Sequence, residues 1–172
     1  MQKKRRLAFI EYYNFTEGDA ENAIKFYREY FSTEGLYENE VYEGFEELLM
    51  SLKENQKTLI VATSKPTVFA KTILNHFKLS NYFDLICGSN LDGTMSKKGD
   101  IIKHIIDEVK IENPSQMVMV GDRKHDIYGA IENQIDSIGV LYGYGDYEEL
   151  SNSNSTYIVN NVNELKDLLE IV

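Results

Sequence analysis

The sequence is poor in the features that mark secreted, membrane-spanning or nucleic-acid-binding proteins. Its one cysteine, Cys87, cannot form an internal disulfide, and a reducing cytoplasm fits it best. No apolar run approaches the length that spans a bilayer, and the run at 7–10 is too short for the core of a signal peptide. The net charge of -10 argues against nucleic acid or an anionic membrane as the main partner.

The sequence also lacks internal repeats, and low complexity is confined to a short Ser- and Asn-rich stretch at 151–156. With 172 residues, of which 42% are hydrophobic and 27% charged, the chain has the composition of a soluble globular domain. Its length is sufficient for one sizeable core.

Short apolar runs alternate with amphipathic segments from residue 41 to the end of the chain. The runs at 58–62, 83–88, 116–121, 137–141 and 157–159 have the length and composition of buried strands. Between them, apolar residues recur at helical spacing, for example at 99–110 and 162–170, and Pro66 suits the first turn of a helix. This alternation predicts an α/β fold with a parallel sheet between two layers of helices.

The first part of the chain follows a different pattern. Residues 7–31 are rich in aromatic side chains at helical spacing, and Gly35 is expected to end this unit. Thr16 and Asp19 have the spacing of a capping box at a helix N-terminus. The sequence therefore predicts a helical segment that precedes the α/β part.

Polar side chains stand at three of the predicted strand ends, where ligands bind in parallel sheets. A hydroxyl group, an ammonium group and paired carboxylates are what a phosphoryl-transfer site needs, and two carboxylates suit Mg²⁺. The simpler alternatives are that Thr63 and Asp122 cap helices and that the lysines are solvated. The residues are Thr63 and Ser64 after the first strand, Lys97 and Lys98 after the second, and Asp122 and Asp126 after the third.

These stretches resemble the haloacid dehalogenase superfamily, specifically its phosphoglycolate phosphatase and 5′-nucleotidase-like group. Residues 59–66 resemble the second motif of that superfamily, which gives Thr63 the phosphate-binding role, with Ser64 beside it. Lys98 matches the lysine of the third motif better than Lys97 does, because it directly precedes the predicted helix. Residues 120–126 resemble the fourth motif, in which Asp122 is a direct Mg²⁺ ligand and Asp126 supports it.

The resemblance implies a three-layer, Rossmann-like parallel-sheet core over residues 41–172, preceded by the remainder of a helical cap over residues 1–40. It further implies Mg²⁺-dependent hydrolysis of a small phosphorylated metabolite of the phosphoglycolate or nucleotide type. Thr63 and Lys98 are then the expected catalytic groups.

One motif of that superfamily is missing. Its members begin with a strand that ends in Asp-x-Asp-Gly-Thr, where the first aspartate is the nucleophile and the second is the general acid and base. Here the nearest match, at 90–94, has Asn90 in place of the nucleophile and follows Thr63, so we interpret it as a turn built on Asp-Gly. The alternative to an enzyme is an inactive, truncated remnant or a module that binds phosphate or another protein.

In the superfamily the missing strand lies between the strands that carry Thr63 and Asp122. Its loss would leave two unpaired strand edges within the sheet, which favours self-association or pairing with a complementing chain. We therefore expect poor stability of the chain alone. The stretch at 142–145, Tyr-Gly-Tyr-Gly, follows a predicted strand end and is a candidate to flank the site, although a turn would explain its glycines.

Overall fold

The computed structural model describes the backbone of residues 2–171 and the side chains of residues 6–170. Three helices come first: α1 (Gln2–Tyr13), α2 (Glu17–Tyr30) and, after a π-helical turn at Phe31–Gly35, α3 (Phe45–Glu54). The remaining strands and helices alternate: β1 (Ile60–Pro66), α4 (Thr67–His76), β2 (Leu85–Ser89), α5 (Lys98–Val109), β3 (Val118–Gly121), α6 (Lys124–Glu132), β4 (Asp136–Val140), α7 (Tyr147–Asn152), β5 (Tyr157–Val159) and α8 (Val162–Ile171). None of the helices within residues 2–171 is long and apolar enough to cross a membrane.

The capping box predicted at Thr16 and Asp19 is confirmed. The backbone N–H of Asp19 donates to Thr16 Oγ1 at 3.2 Å, and the backbone N–H of Thr16 donates to the Asp19 carboxylate at 3.3 Å. This exchange satisfies two N–H groups that the helix itself cannot pair and fixes the start of α2. The division into a cap segment at 1–40 and a core at 41–172 stays a prediction.

The strands pair in parallel, which confirms the predicted α/β class. They form two separate groups, β1–β2 and β3–β4–β5. In the part of the chain that the structure describes, no backbone hydrogen bond joins β1 to β3. We call these groups the first and second half-sheets.

Strands β1 and β3, which have unpaired edges, are less buried than β4, which is paired on both sides. All seven residues of β1 and all four of β3 are partly exposed, whereas Ile138 and Val140 of β4, which is paired on both sides, are buried. The predictions of buried strands at 58–62 and 116–121 are therefore wrong in their burial, and the first is also wrong in its bounds. Strand β1 runs from Ile60 to Pro66, with an irregular register between Thr63 and Pro66, and it lies at an open edge.

Helix α5 holds the two half-sheets together by packing against both. Ile101 and Ile105 lie in a cluster with residues of β1 and β2, whereas Ile102 lies in a cluster with Ala130 of α6. Met117, directly before β3, packs against both clusters. The arrangement brings the carboxyl ends of β1 and β3 to the N-terminus of α5.

Candidate active site

Lys98, the first residue of α5, is bonded to both sides of the division between the half-sheets. Its Nζ donates to the carbonyl oxygen of Ala62 in β1 at 2.6 Å and lies 2.9 Å from Oδ1 of Asp126 in α6. The side chains of Lys98 and Asp126 are 11% and 10% exposed, so the ion pair is shielded from solvent. Lys97 is exposed, and the structure thus brings Lys98 rather than its neighbour into the site.

Close contact between α5 and α6 places Lys98 against Asp126. A Cβ atom at Gly129 of α6 would lie 2.7 Å from Cγ of Lys98 and 3.0 Å from the backbone nitrogen of Gly99. The Asn133 side chain adds hydrogen bonds to the carbonyl oxygens of Gly99 at 3.0 Å and Gly129 at 2.8 Å. Only a residue without a side chain permits this approach.

Thr63 is the last residue of β1 in regular register with β2, and Ser64 follows it in the irregular part of the strand, next to the carbonyl group that Lys98 binds. Thr63 Oγ1 accepts a hydrogen bond from the backbone N–H of Lys65 at 3.2 Å, and its own O–H donates to no group among the described residues. Ser64 Oγ instead donates to the carbonyl oxygen of Ser96 at 3.0 Å. Thr63 therefore keeps a donor for a phosphate oxygen, whereas the Ser64 hydroxyl ties β1 to the loop before Lys98.

Asp126 has both carboxylate oxygens in use. Oδ1 is paired with Lys98, and Oδ2 accepts the backbone N–H of Arg123 at 3.1 Å, which caps the start of α6. A Cβ atom at Gly121, the last residue of β3, would lie 2.2 Å from Cβ of Asp126. The glycine at the end of the strand is needed because Asp126 folds back onto it.

Asp122 lies between β3 and α6 and is held by the loop that follows β4. Its Oδ2 accepts the backbone N–H of Tyr144 at 2.9 Å. The neighbouring Tyr142 packs edge-on against Tyr42, with ring centroids 5.0 Å apart. Burial, with smaller contributions from Tyr42 and Asp122, raises the pKa of Tyr142 to about 12, so a neutral phenol adjoins this carboxylate.

Lys65 connects the N-terminal segment to the same strand end. Its Nζ lies 5.2 Å from the ring centroid of Phe31, which in turn packs edge-on against Phe69 of α4 with centroids 5.7 Å apart. Burial lowers the pKa of Lys65. The sequence analysis predicts no role for Lys65. Its position directly after Thr63 and Ser64 could have indicated that it lies near the site.

The sequence matches the model of a known family over residues 5–140, described as haloacid dehalogenase-like hydrolase. That match covers well over half of the chain. The chain belongs to the haloacid dehalogenase-like hydrolase family.

Similar proteins agree with the family assignment. A 5′-nucleotidase of Pseudomonas aeruginosa is 42% identical over 162 residues, which cover 94% of this chain and 73% of that protein. A phosphoglycolate phosphatase of Colwellia psychrerythraea is 30% identical over 128 residues, which cover 74% of this chain and 56% of that protein. The crystal structure of a predicted phosphatase from Clostridium acetobutylicum is 50% identical and superposes with a TM-score of 0.88, covering 98% of this chain and 77% of that one.

The carboxylates fit a hard cation, but only as part of its coordination shell. Among the described residues there is no group of three or more His, Cys, Asp or Glu side chains that could hold a metal ion. Mg²⁺ is commonly held by one or two carboxylates together with water and substrate phosphate. Asp122 suits this role as a carboxylate at the strand end, and Asp126, with both oxygens bonded, suits a supporting one.

The stretch at 90–94 forms a turn, as expected for Asp-Gly. The Asp92 carboxylate accepts the backbone N–H of Thr94 at 2.8 Å and its hydroxyl at 2.7 Å, and Gly93 adopts a φ of +88°. These hydrogen bonds lower the pKa of Asp92. The side chain of Asn90 donates to Thr94 Oγ1 at 2.8 Å, so this hydroxyl and amide serve the turn itself.

Proposed function

We propose that this member of the haloacid dehalogenase-like family supplies the phosphate- and Mg²⁺-binding groups of a phosphomonoester hydrolase. The observation that carries the proposal is the position of Lys98. Its ammonium group donates to the carbonyl oxygen of Ala62, the residue before Thr63, and is also paired with the Asp126 carboxylate. A hydroxyl donor, a cation and a carboxylate pair at neighbouring strand ends are suited to a phosphate group with its metal ion.

Each side chain has a distinct part in this proposal. The Thr63 hydroxyl donates to a phosphate oxygen, and the Lys98 ammonium group offsets the negative charge that develops on the phosphoryl group. Asp122 holds Mg²⁺, which supplies charge stabilisation at the phosphoryl oxygens when bound. Asp126 keeps Lys98 oriented through their 2.9 Å ion pair.

The nucleophilic aspartate, which would form an aspartyl-phosphate, has to come from a polypeptide segment outside these 172 residues. The proposed position of that segment is between the two half-sheets. This position is supported by β1 and β3, which are not paired with each other and are partly exposed. An extended strand between them would deliver a carboxylate from its C-terminal end to Lys98 and Asp122.

The substrate in this proposal is a small phosphomonoester of the nucleotide or phosphoglycolate type. Support comes from the names of the two relatives, a 5′-nucleotidase at 42% identity and a phosphoglycolate phosphatase at 30%. The higher identity favours nucleoside monophosphates as the first substrates to test.

The test combines binding with complementation. Calorimetry should show that the chain binds Mg²⁺ and inorganic phosphate and that Asp122→Asn removes the Mg²⁺ binding. Hydrolysis of p-nitrophenyl phosphate should appear when a valine-rich peptide ending in Asp-x-Asp-Gly-Thr is added. A peptide with asparagine at the first aspartate is the matched control and should give no turnover.

A binding module without catalysis is the second candidate. The observation in its favour is that the 172 residues contain no Asp-x-Asp-Gly-Thr, although the groups around Lys98 are assembled. Phosphate binding without turnover at any peptide concentration would favour this candidate. Absence of both Mg²⁺ and phosphate binding would contradict both candidates.

A further inference from the structure

The loop at 143–145, Gly-Tyr-Gly, lies in close contact with both the side chain and the backbone of Asp122. A Cβ atom at Gly143 would lie 2.3 Å from Cβ and 2.5 Å from Oδ2 of Asp122. A Cβ atom at Gly145 would lie 2.1 Å from the backbone oxygen of Asp122. The two glycines therefore enclose Asp122 at the level of both its side chain and its backbone.

Backbone conformation does not account for these glycines. Within residues 2–171, the glycines with positive φ are Gly44 and Gly93, and neither Gly143 nor Gly145 is among them. The chain does turn here, but a positive φ, which some turns require, does not explain the two glycines. They are needed because any side chain there would overlap Asp122.

Tyr144, between the glycines, acts through its backbone. Its N–H donates to Asp122 Oδ2 at 2.9 Å, whereas the residue as a whole is 90% exposed. No described residue donates a hydrogen bond to the other carboxylate oxygen, Oδ1. The loop thus fixes the rotation of the carboxylate and leaves one oxygen for another ligand.

We propose that the 143–145 loop is a positioning element for Asp122, in which the Tyr144 N–H binds Oδ2 so that Oδ1 is presented to a divalent cation. The two glycines make this possible by allowing the loop to reach the carboxylate. The inference rests on the proposed function, because it assigns the cation to Asp122. It adds residues from the end of a neighbouring strand to the site.

The test measures Mn²⁺ affinity and the electron paramagnetic resonance spectrum of bound Mn²⁺. Tyr144→Pro removes the N–H donor, whereas Tyr144→Ala keeps it and changes only an exposed side chain. Loss of a group that orients a metal ligand typically weakens affinity by about 10- to 100-fold, which is the result expected for Tyr144→Pro. Tyr144→Ala should retain the affinity and spectrum of the parent chain.

A second pair of variants covers the case in which Tyr144→Pro does not fold. Gly143→Ala should displace Asp122 and weaken Mn²⁺ binding by about 10-fold or more. Gly18→Ala is its control, because a Cβ atom at Gly18 meets nothing within 4 Å. Circular dichroism identifies which variants fold, and binding of inorganic phosphate without metal should be unchanged in them, since Thr63 and Lys98 are untouched.

The outcomes separate this inference from the proposed function. If the parent chain binds Mn²⁺ and both Gly143→Ala and Tyr144→Pro bind it equally well, the positioning role is wrong while the proposed function stands. If both variants lose metal and phosphate binding together, the loop has only a structural role. If the parent chain binds inorganic phosphate but no Mn²⁺, the positioning role is wrong, and if it binds neither, the proposed function is wrong as well.

Discussion

Lys98 is the residue on which the assembly of the candidate active site depends most. Its ammonium group has a carbonyl oxygen of the first half-sheet as one partner and the Asp126 carboxylate as the other. Both side chains are about nine-tenths removed from solvent. Neither charge can therefore be left alone without a cost in stability, because water cannot replace the missing partner.

Lys98→Met should destabilise the fold strongly. Removing one partner of a buried ion pair typically costs about 3–5 kcal/mol, and the Asp126 carboxylate would lose its Lys98 counter-ion. We expect a large fall in the free energy of unfolding, measured with urea. Lys97→Met is the matched control and should change it by less than about 0.5 kcal/mol, since surface substitutions rarely exceed that.

The double variant Lys98→Met with Asp126→Asn checks the cause. It removes both charges, so it should be more stable than Lys98→Met alone. Equal stability of the single and double variants would show that the loss comes from packing of the lysine stem rather than from an uncompensated carboxylate.

At the scale of elements, the N-terminus of α6 is tied to α7 by Glu149. This carboxylate accepts Arg123 Nε at 2.8 Å, Arg123 Nη2 at 3.2 Å and the backbone N–H of Lys124 at 2.9 Å. The Arg123 side chain, followed by the Lys124 N–H, lowers the pKa of Glu149 to about 2. The contact therefore stabilises the fold when Glu149 is ionised.

Glu149→Gln should lower the melting temperature at pH 7. Because the folded-state pKa lies below the ordinary value of 4.5, the stabilisation is fully present above about pH 4.5 and is lost as the pH falls towards 2. The difference in melting temperature between the parent chain and Glu149→Gln should therefore shrink across that range. A difference that stays constant from pH 7 to pH 3 would contradict the assignment.

The crossing of α5 and α6 at Gly129 makes a separate prediction. Gly129→Ala would press on the Lys98 side chain and the Gly99 backbone, and overpacking of this kind typically costs about 1–3 kcal/mol. Denaturant unfolding measures the loss, and inorganic phosphate should bind more weakly because Lys98 is displaced. Gly18→Ala in α2 has free space and should cause neither effect.

The elements also show which parts of the site local sequence patterns can predict. Thr63, the pair Lys97 and Lys98, and Asp122 each stand where an apolar run ends or a helix begins, so local patterns singled them out, and the family resemblance then favoured Lys98 over Lys97. The predicted strand end at Thr63 differs from the structure, in which β1 continues to Pro66. The contact of Gly143 with Asp122 joins loops from two different strands, and no local pattern encodes it. The extension of β1 to Pro66 was missed for a similar reason, since its irregular pairing with Ser89 depends on β2.

At the scale of the whole molecule, the chain contains two half-sheets held together by helices and side chains. β4 is paired on both sides, whereas β1 and β3 each have a neighbour on one side only. Unpaired edges that are also partly exposed lead to pairing with other chains. The expectation of poor stability in isolation stays a prediction that follows from this arrangement.

Amide hydrogen exchange should report the open edges directly. In the monomer, amides of β4 should exchange slowest, because Ile138 and Val140 are buried and the strand is paired on both sides, and those of β1 and β3 should exchange faster. A valine-rich peptide that pairs with both β1 and β3 should slow amide exchange in these two strands. Exchange in β5, at the outer edge of the second half-sheet, should be unchanged. A proline-interrupted peptide of the same composition is the control, because it cannot pair along both edges. Equal protection of β1, β3 and β4 in the monomer would mean that the division is closed and that no strand is accepted there.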